Sequence, residues 1–368
     1  MAEPRERWEA CVAEAGAATL EALAGLEAAA RRLHLPTLPS LREGLRAPAE
    51  RLSAAEAALR EVSPPAGLEG FHGRLLEGVE HASVAASIFV EEPPPSEAVP
   101  RLLASMRRVA RAQAAFYPLR RMLPSLGRFF AEAPLWHGLD SLDPDPAPGS
   151  SVGMHRAPGS RDDRGGFALY VPERYTPERT WPLVVALHGG WGHGDDFLWT
   201  WLREARSRGC LVLAPTSRGS TWSLHPPDVD APALASMLAF VRERWSIDPE
   251  RMLLTGLSDG ATYTLLWGLA EGSPFSHLAP LCGVLHPDNV GRGNLERARG
   301  RRIWLGHGAH DWLFPVELAR LARDTLLEAG AELVYREIAD LAHAYPREEN
   351  ARILEWMDPG LALPAACD

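Results

Sequence analysis

The sequence predicts an all-α helical bundle followed by an α/β domain, a mostly parallel sheet with helices on both faces. Three observations predict it. Up to about Ala133 the chain is rich in Ala, Leu, Glu and Arg, all strong helix formers. From about Gly166 short apolar runs alternate with helical stretches, the rhythm of a parallel sheet covered on both sides. Between them, DSLDPDPAPGSSVGMHRAPGSRDDRG at 140–165 is dense in Pro, Gly, Asp and Ser, as domain boundaries usually are. The expected division is a bundle over 1–140, a linker over 141–165 with Met154-His155-Arg156 as a candidate first strand, and the α/β domain over 166–368.

In the bundle, Leu45, Leu52 and Leu59 recur every seven positions, with Leu41 one turn earlier, which places them on one helical face. Ser40 stands before that run as the expected N-cap, with Glu43 three residues on, as in a capping box. Leu102, Met106 and Val109 repeat the pattern, with Ser96 as the expected cap. Breaks at Pro36 and Pro39, Ser63-Pro64-Pro65, Pro93-Pro94-Pro95 and Pro118 cut the stretch into four or five antiparallel helices.

In the second domain the expected strands are Phe167–Val171, Leu183–Leu187, Leu211–Ala214, Met252–Thr255, Leu278–Leu281, Ile303–Leu305 and Glu332–Arg336. The expected helices lie around Phe197–Arg208, Ala231–Trp245, Thr262–Ala270, Val316–Ala329 and Pro346–Trp356. Two of the 12 tryptophans precede residue 150, so the second domain has the heavier core and is the expected seat of a substrate pocket.

Composition narrows the function classes. The 368 residues are 46% hydrophobic and 23% charged, ordinary for a folded soluble chain. There is no lysine: all 38 basic residues are arginine, against 48 acidic ones, for a net charge of −10. With no long basic run either, the electrostatic footprint of a nucleic-acid binder is missing. Cys11, Cys210, Cys282 and Cys367 have no CxxC spacing and read as reduced thiols. The N-terminal stretch is punctuated by charge and no run of 18 apolar residues occurs. The expectation is therefore a cytoplasmic protein with no membrane span.

The strongest local signal is Gly256-Leu257-Ser258-Asp259-Gly260, between the apolar run RMLLT and the helix-compatible ATYTLLWGLA. A GxSxG pentapeptide in a strand–turn–helix setting is the nucleophile elbow, whose sharp turn leaves no room for Cβ atoms beside the serine. A serine hydroxyl needs a base, itself oriented by an acid. In chain order Ser, acid, His, the histidine that follows a late strand is His343, in LAHAYP. Asp311 follows the strand-like IWLGHGAH, and Asp340 is its rival by proximity; three residues on one loop rarely let a carboxylate hold the imidazole, which favours Asp311. Leu187-His188-Gly189-Gly190-Trp191-Gly192 leaves the end of a strand, where backbone N–H groups, with that of Asp259, suit an oxyanion hole. No GxxxxGK[ST] P-loop exists.

These segments resemble a known family. From about Tyr170 to Met357, LVVALHGGWG, IDPERMLLTGLSDGATY, IWLGHGAHDWLFPV and YREIADLAHAYP look like the phospholipase/carboxylesterase group of α/β-hydrolases, close to the dienelactone-hydrolase-like and polyhydroxybutyrate-depolymerase-like esterases. The resemblance implies an α/β-hydrolase fold, Ser258 as nucleophile, Asp311 as acid, His343 as base, and the N–H groups of Gly190 and Asp259 as oxyanion hole. Where many relatives have a second glycine, this chain has Ala261. The bundle matches no named family.

The expected activity is serine carboxylester hydrolysis of a small-molecule ester, with short to medium acyl or aryl groups, through an acyl-enzyme and with no cofactor or metal. Trp191, Trp222, His286 and Trp312 lie on loops after expected strands and are the candidate substrate contacts. Two rival readings are a serine peptidase of the prolyl-oligopeptidase type and a non-catalytic scaffold. For the bundle, three roles stand open: a cap that selects substrates, a homo-oligomer interface, or a dock for a partner.

Overall fold

The structure is a computed structural model that describes residues 4–145, 149, 151–157 and 163–364. Cys367 lies outside these residues. The chain divides into two compact units, Met1–Leu139 and Asp140–Asp368.

The first unit holds helices α1 (Pro4–Arg31), α2 (Leu38–Arg60), α3 (Glu69–Val90), α4 (Ala98–Phe116) and the short α5 (Pro124–Phe129). The order of contacts makes successive helices antiparallel. Arg7 meets Glu61 while Arg51 meets Glu14 and Glu21. Ser105 Oγ donates to Ala85 O, and Arg101 pairs with Glu91. The leucine stripe behaves as its spacing predicts: Leu45, Leu52 and Leu59 are buried, and Leu41 packs on the same core from its edge. The caps do not. Helix α2 starts at Leu38 with Thr37 before it, and α4 at Ala98 with Glu97 before it, neither residue giving a side-chain cap bond. Both helices grow out of a 3-10 turn, Leu35–Thr37 and Pro95–Glu97, so Ser40 falls inside α2 and Ser96 inside the second turn. Pro39 fits because an early helical position has no N–H acceptor to lose.

The second unit is built on one eight-stranded sheet: β1 (Gly153–Arg156), β2 (Phe167–Val171), β3 (Trp181–Leu187), β4 (Leu211–Pro215), β5 (Ile247–Leu257), β6 (His277–Leu281), β7 (Arg302–Gly308) and β8 (Glu332–Ile338). The spatial order is β1-β2-β4-β3-β5-β6-β7-β8. Strands β1 and β2 pair antiparallel and the remaining strands run parallel, with β2 joining antiparallel to β4. The candidate strand at Met154–Arg156 forms as part of β1, and the second unit begins at Asp140.

The helices of this unit are α6 (Gly194–Phe197), α7 (Leu202–Arg208), α8 (Asp230–Arg244), α9 (Asp259–Gly268), α10 (Asp288–Gly291), α11 (Val316–Glu328) and α12 (Glu349–Met357). Leu183, Val185, Leu211, Leu213, Met252 and Leu254 form one core with Leu234, Leu238 and Val241 of α8 and Tyr263, Leu265 and Leu266 of α9. The alternate residues Val184, Ala186, Val212, Ala214 and Leu253 are also fully buried, which is why these strands read as continuous apolar runs. Helices α7 and α12 are tied to each other by Arg208–Glu355 and by Asn350 Nδ2 on Glu204. No helix among the described residues is long and apolar enough to cross a membrane.

Candidate active site

Everything chemical gathers at the C-terminal ends of β3, β4, β5, β6, β7 and β8. Strand β5 ends at Leu257 and α9 starts at Asp259, leaving Ser258 alone at the turn with φ 56° and ψ −121°. A non-glycine residue in that region is strained and persists only where its surroundings over-determine it. Here the clamp is steric. A Cβ on Gly256 would lie 2.5 Å from Gly260 O, and one on Gly260 would lie 2.4 Å from Leu187 O. Two glycines thus let β5, β3 and the start of α9 close to backbone contact, and the serine between them is pushed out of the sheet.

His343 Nε2 lies 3.0 Å from Ser258 Oγ, and His343 Nδ1 lies 2.8 Å from Asp311 Oδ2. The carboxylate on the imidazole is Asp311, and the sequence rival Asp340 is not the residue at Nδ1. Asp311 Oδ1 accepts the N–H groups of Leu313 at 2.9 Å and Phe314 at 2.8 Å, which folds the loop after β7 around the carboxylate. The loop after β8 is held beside it, since His310 N donates to Leu341 O at 2.9 Å and Ala309 N donates to Ile338 O at 2.9 Å.

The loop after β3 faces the serine: a Cβ on Gly189 would sit 3.4 Å from that of Ser258. The N–H of Trp191 is consumed by Ser220 O at 2.7 Å and that of Gly192 by Gly189 O at 3.0 Å. No such acceptor meets the N–H of Gly190 or of Asp259 among the described residues, and these are the two donors expected from the sequence.

Three braces hold this loop, and none was singled out in the sequence. Ser217 N donates to His188 Nε2 at 3.1 Å, which leaves the ring proton on Nδ1 to donate to Gly189 O at 2.7 Å. Burial, helped by the charge of Arg164, pushes the His188 pKa down to about 3, so the ring is neutral. Arg164 donates to Gly192 O at 3.2 Å and to Ser217 O at 3.0 Å. Thr221 Oγ1 donates to Asp259 Oδ2 at 2.5 Å. The segment 217–222 thus fixes both donor residues at once.

The four candidate substrate contacts separate. Trp191 is 65% exposed at φ 55° and Trp312 is 39% exposed, its ring 6.3 Å from that of His343. Trp222 is a correction: at 2% exposure it belongs to the core, stacked on Tyr263 at 5.6 Å, with Nε1 donating to His188 O at 2.7 Å. A large apolar ring with one donor finds its best place beneath the loop, where both are satisfied. His286 is tied into its own turn, accepting from Asp288 N at 3.2 Å and meeting the His225 ring at 5.1 Å.

One group of metal-ligand type occurs among the described residues, Cys282, His307 and Asp311, all buried. The Cys282 thiol, its pKa pushed up to about 12 by burial, donates to Ala344 O, and both oxygens of Asp311 are already engaged by Leu313 N, Phe314 N and His343.

A sheet in this order, with a strained serine between β5 and α9 and an Asp–His pair on the loops after β7 and β8, defines an α/β-hydrolase fold. Several solved structures that the chain is similar to are named as esterases or serine hydrolases. One is a thermostable esterase, 25% identical over 54% of this chain and 56% of that chain, with a TM-score of 0.42. Another is the fluorophosphonate-binding serine hydrolase F of Staphylococcus aureus, 14% identical over 56% of this chain and 99% of that chain, TM-score 0.45. A third is the S-formylglutathione hydrolase FrmB of the same organism, 15% identical over 56% and 99%, TM-score 0.43. No family model matches the chain, and no curated protein does.

Proposed function

We propose that the chain is a serine carboxylester hydrolase acting on small-molecule esters with short to medium acyl or aryl groups. The observation that carries this reading is the unbroken chain from Ser258 Oγ to His343, 3.0 Å, and from His343 to Asp311, 2.8 Å, on a serine held in a strained turn.

Ser258 Oγ attacks the ester carbonyl while His343 Nε2 takes its proton. Asp311 keeps the second ring proton on Nδ1 and stabilises the imidazolium. Negative charge gathers on the carbonyl oxygen, and the N–H groups of Gly190 and Asp259 receive it. His343 then passes its proton to the leaving alcohol, leaving an acyl-enzyme on Ser258. A water activated by the same imidazole attacks the acyl carbon and releases the acid. Each oxyanion donor is worth about 3 kcal/mol of transition-state stabilisation.

Labelling with a fluorophosphonate followed by peptide mass mapping tests the nucleophile without assuming a substrate. The modification is expected on Ser258, and much more slowly in His343→Ala. Adduct on a different serine, or none in the folded wild type, would overturn the reading.

A further inference from the structure

We infer that Trp312 forms the alcohol-side subsite of this active centre and selects esters of flat, uncharged, aromatic alcohols. The inference rests on the hydrolase reading and goes beyond it by dividing the ester between two sides of the site.

The division follows from the chemistry. In the tetrahedral intermediate the acyl carbon has four substituents: Ser258 Oγ, the oxyanion, the leaving oxygen and the acyl chain. The oxyanion points at the N–H groups of Gly190 and Asp259. The leaving oxygen must face His343 Nε2, because that atom delivers the proton when the C–O bond breaks. Whatever flanks the Nε2 edge of the imidazole therefore flanks the alcohol, not the acyl chain.

Two aromatic rings stand there. Phe314 is partly buried and meets the His343 ring edge-on, with centroids 5.4 Å apart and planes at 84°. Trp312 is 6.3 Å away at 73° and remains 39% exposed, so part of its indole faces solvent beside the imidazole. Leu313, next along, is 47% exposed and extends the apolar surface.

The placement is fixed rather than incidental. Asp311 Oδ1 binds the N–H groups of Leu313 and Phe314 while Oδ2 binds His343. One carboxylate therefore orients the base and holds the tryptophan loop in register with it. An indole stacks on a flat ring without needing a hydrogen bond, which favours aromatic alcohols.

The test is kcat/KM of wild type, Trp312→Ala, Trp312→Phe and Ser258→Ala on two ester series. In one, the acetate is kept and the alcohol runs from ethanol through benzyl alcohol to 2-naphthylmethanol. In the other, the ethyl ester is kept and the acid runs from acetate to octanoate. Trp312→Ala is expected to lower the naphthylmethyl-to-ethyl ratio about tenfold, with Trp312→Phe restoring most of it and the acyl-chain ranking kept. A uniform loss over both series, or a loss that follows acyl length, would overturn the inference while Ser258→Ala remained inactive. Activity that survives in Ser258→Ala would instead bring down the hydrolase reading, and this inference with it.

Discussion

Nε2 of His307 lies 3.4 Å from Oδ2 of Asp311, the oxygen that also meets His343 Nδ1 at 2.8 Å. Two imidazoles thus face one carboxylate. His307 is fully buried, and its Nε2 donates to Phe314 O at 2.8 Å, so it ties the acid to the loop that closes around it. No hydrogen bond among the described residues joins it to Ser258, and we propose it as a positioning residue.

His307→Leu removes that donor and leaves Phe314 O without it. A hydrogen bond to a neutral carbonyl is worth about 0.5–1.5 kcal/mol, and an acceptor left buried without one costs about 1–3 kcal/mol. We expect kcat to fall at least tenfold with little change in KM, and His307→Gln, which keeps an N–H, to recover part of it. Steady-state kinetics on a p-nitrophenyl ester decide this. A His307→Leu enzyme with wild-type kcat would remove His307 from the account.

His188 makes stability depend on pH. Its folded pKa, about 3, lies below the ordinary histidine value, so the unfolded chain binds the proton first as pH falls. Its contribution is complete above about pH 6.5 and declines as pH drops toward 3. His277, pushed down to about 4 by burial, adds in the same direction. His188→Gln, whose amide can both accept from Ser217 N and donate to Gly189 O, is expected to flatten the fall of the urea midpoint between pH 6 and 4. An unchanged slope would contradict the buried neutral ring.

Gly260→Ala would place its Cβ 2.4 Å from Leu187 O and 2.5 Å from His188 O, both backbone atoms that cannot swing away. The turn must open, and with it the spacing between Ser258 and the oxyanion loop. We expect loss of activity and a melting temperature lowered by several degrees, the usual effect of overpacking by about 1–3 kcal/mol. Circular dichroism melts beside the kinetic assay check both parts.

Gly283→Ala probes the residue that makes room for Ala261. A Cβ there would lie 2.6 Å from the Ala261 Cβ. The side chain of Ala261 is accommodated by a glycine across the gap. Gly283→Ala is expected to destabilise the protein, and Gly283→Ala with Ala261→Gly to recover only part of its melting temperature, because the new Cβ would still lie 2.8 Å from Thr262 N. A double variant no more stable than the single one would refute the pairing.

Much of the site was legible because its signals are local. The run before Ser258 is a buried strand, and the two flanking glycines announce the turn. Asp311 and His343 each follow a strand-like run, and parallel strands all end on the same edge. What was not legible depends on contacts between distant segments. Nothing near Trp222 in sequence says that it lies under His188 instead of facing solvent. Nothing in the sequence around His307 says that its ring meets Asp311. The braces from Arg164 and Thr221 join residues 28 and 38 positions from their partners Gly192 and Asp259. The caps failed for another reason: a 3-10 turn before α2 and α4 moved each helix start away from the serine.

The most direct test of the account is hydrolysis of p-nitrophenyl acetate, butyrate and octanoate by wild type and Ser258→Ala, each with and without EDTA. We predict wild-type turnover that EDTA leaves unchanged and a loss in Ser258→Ala on the order of 10⁴-fold or more in kcat. Turnover that survives in Ser258→Ala would contradict the central claim.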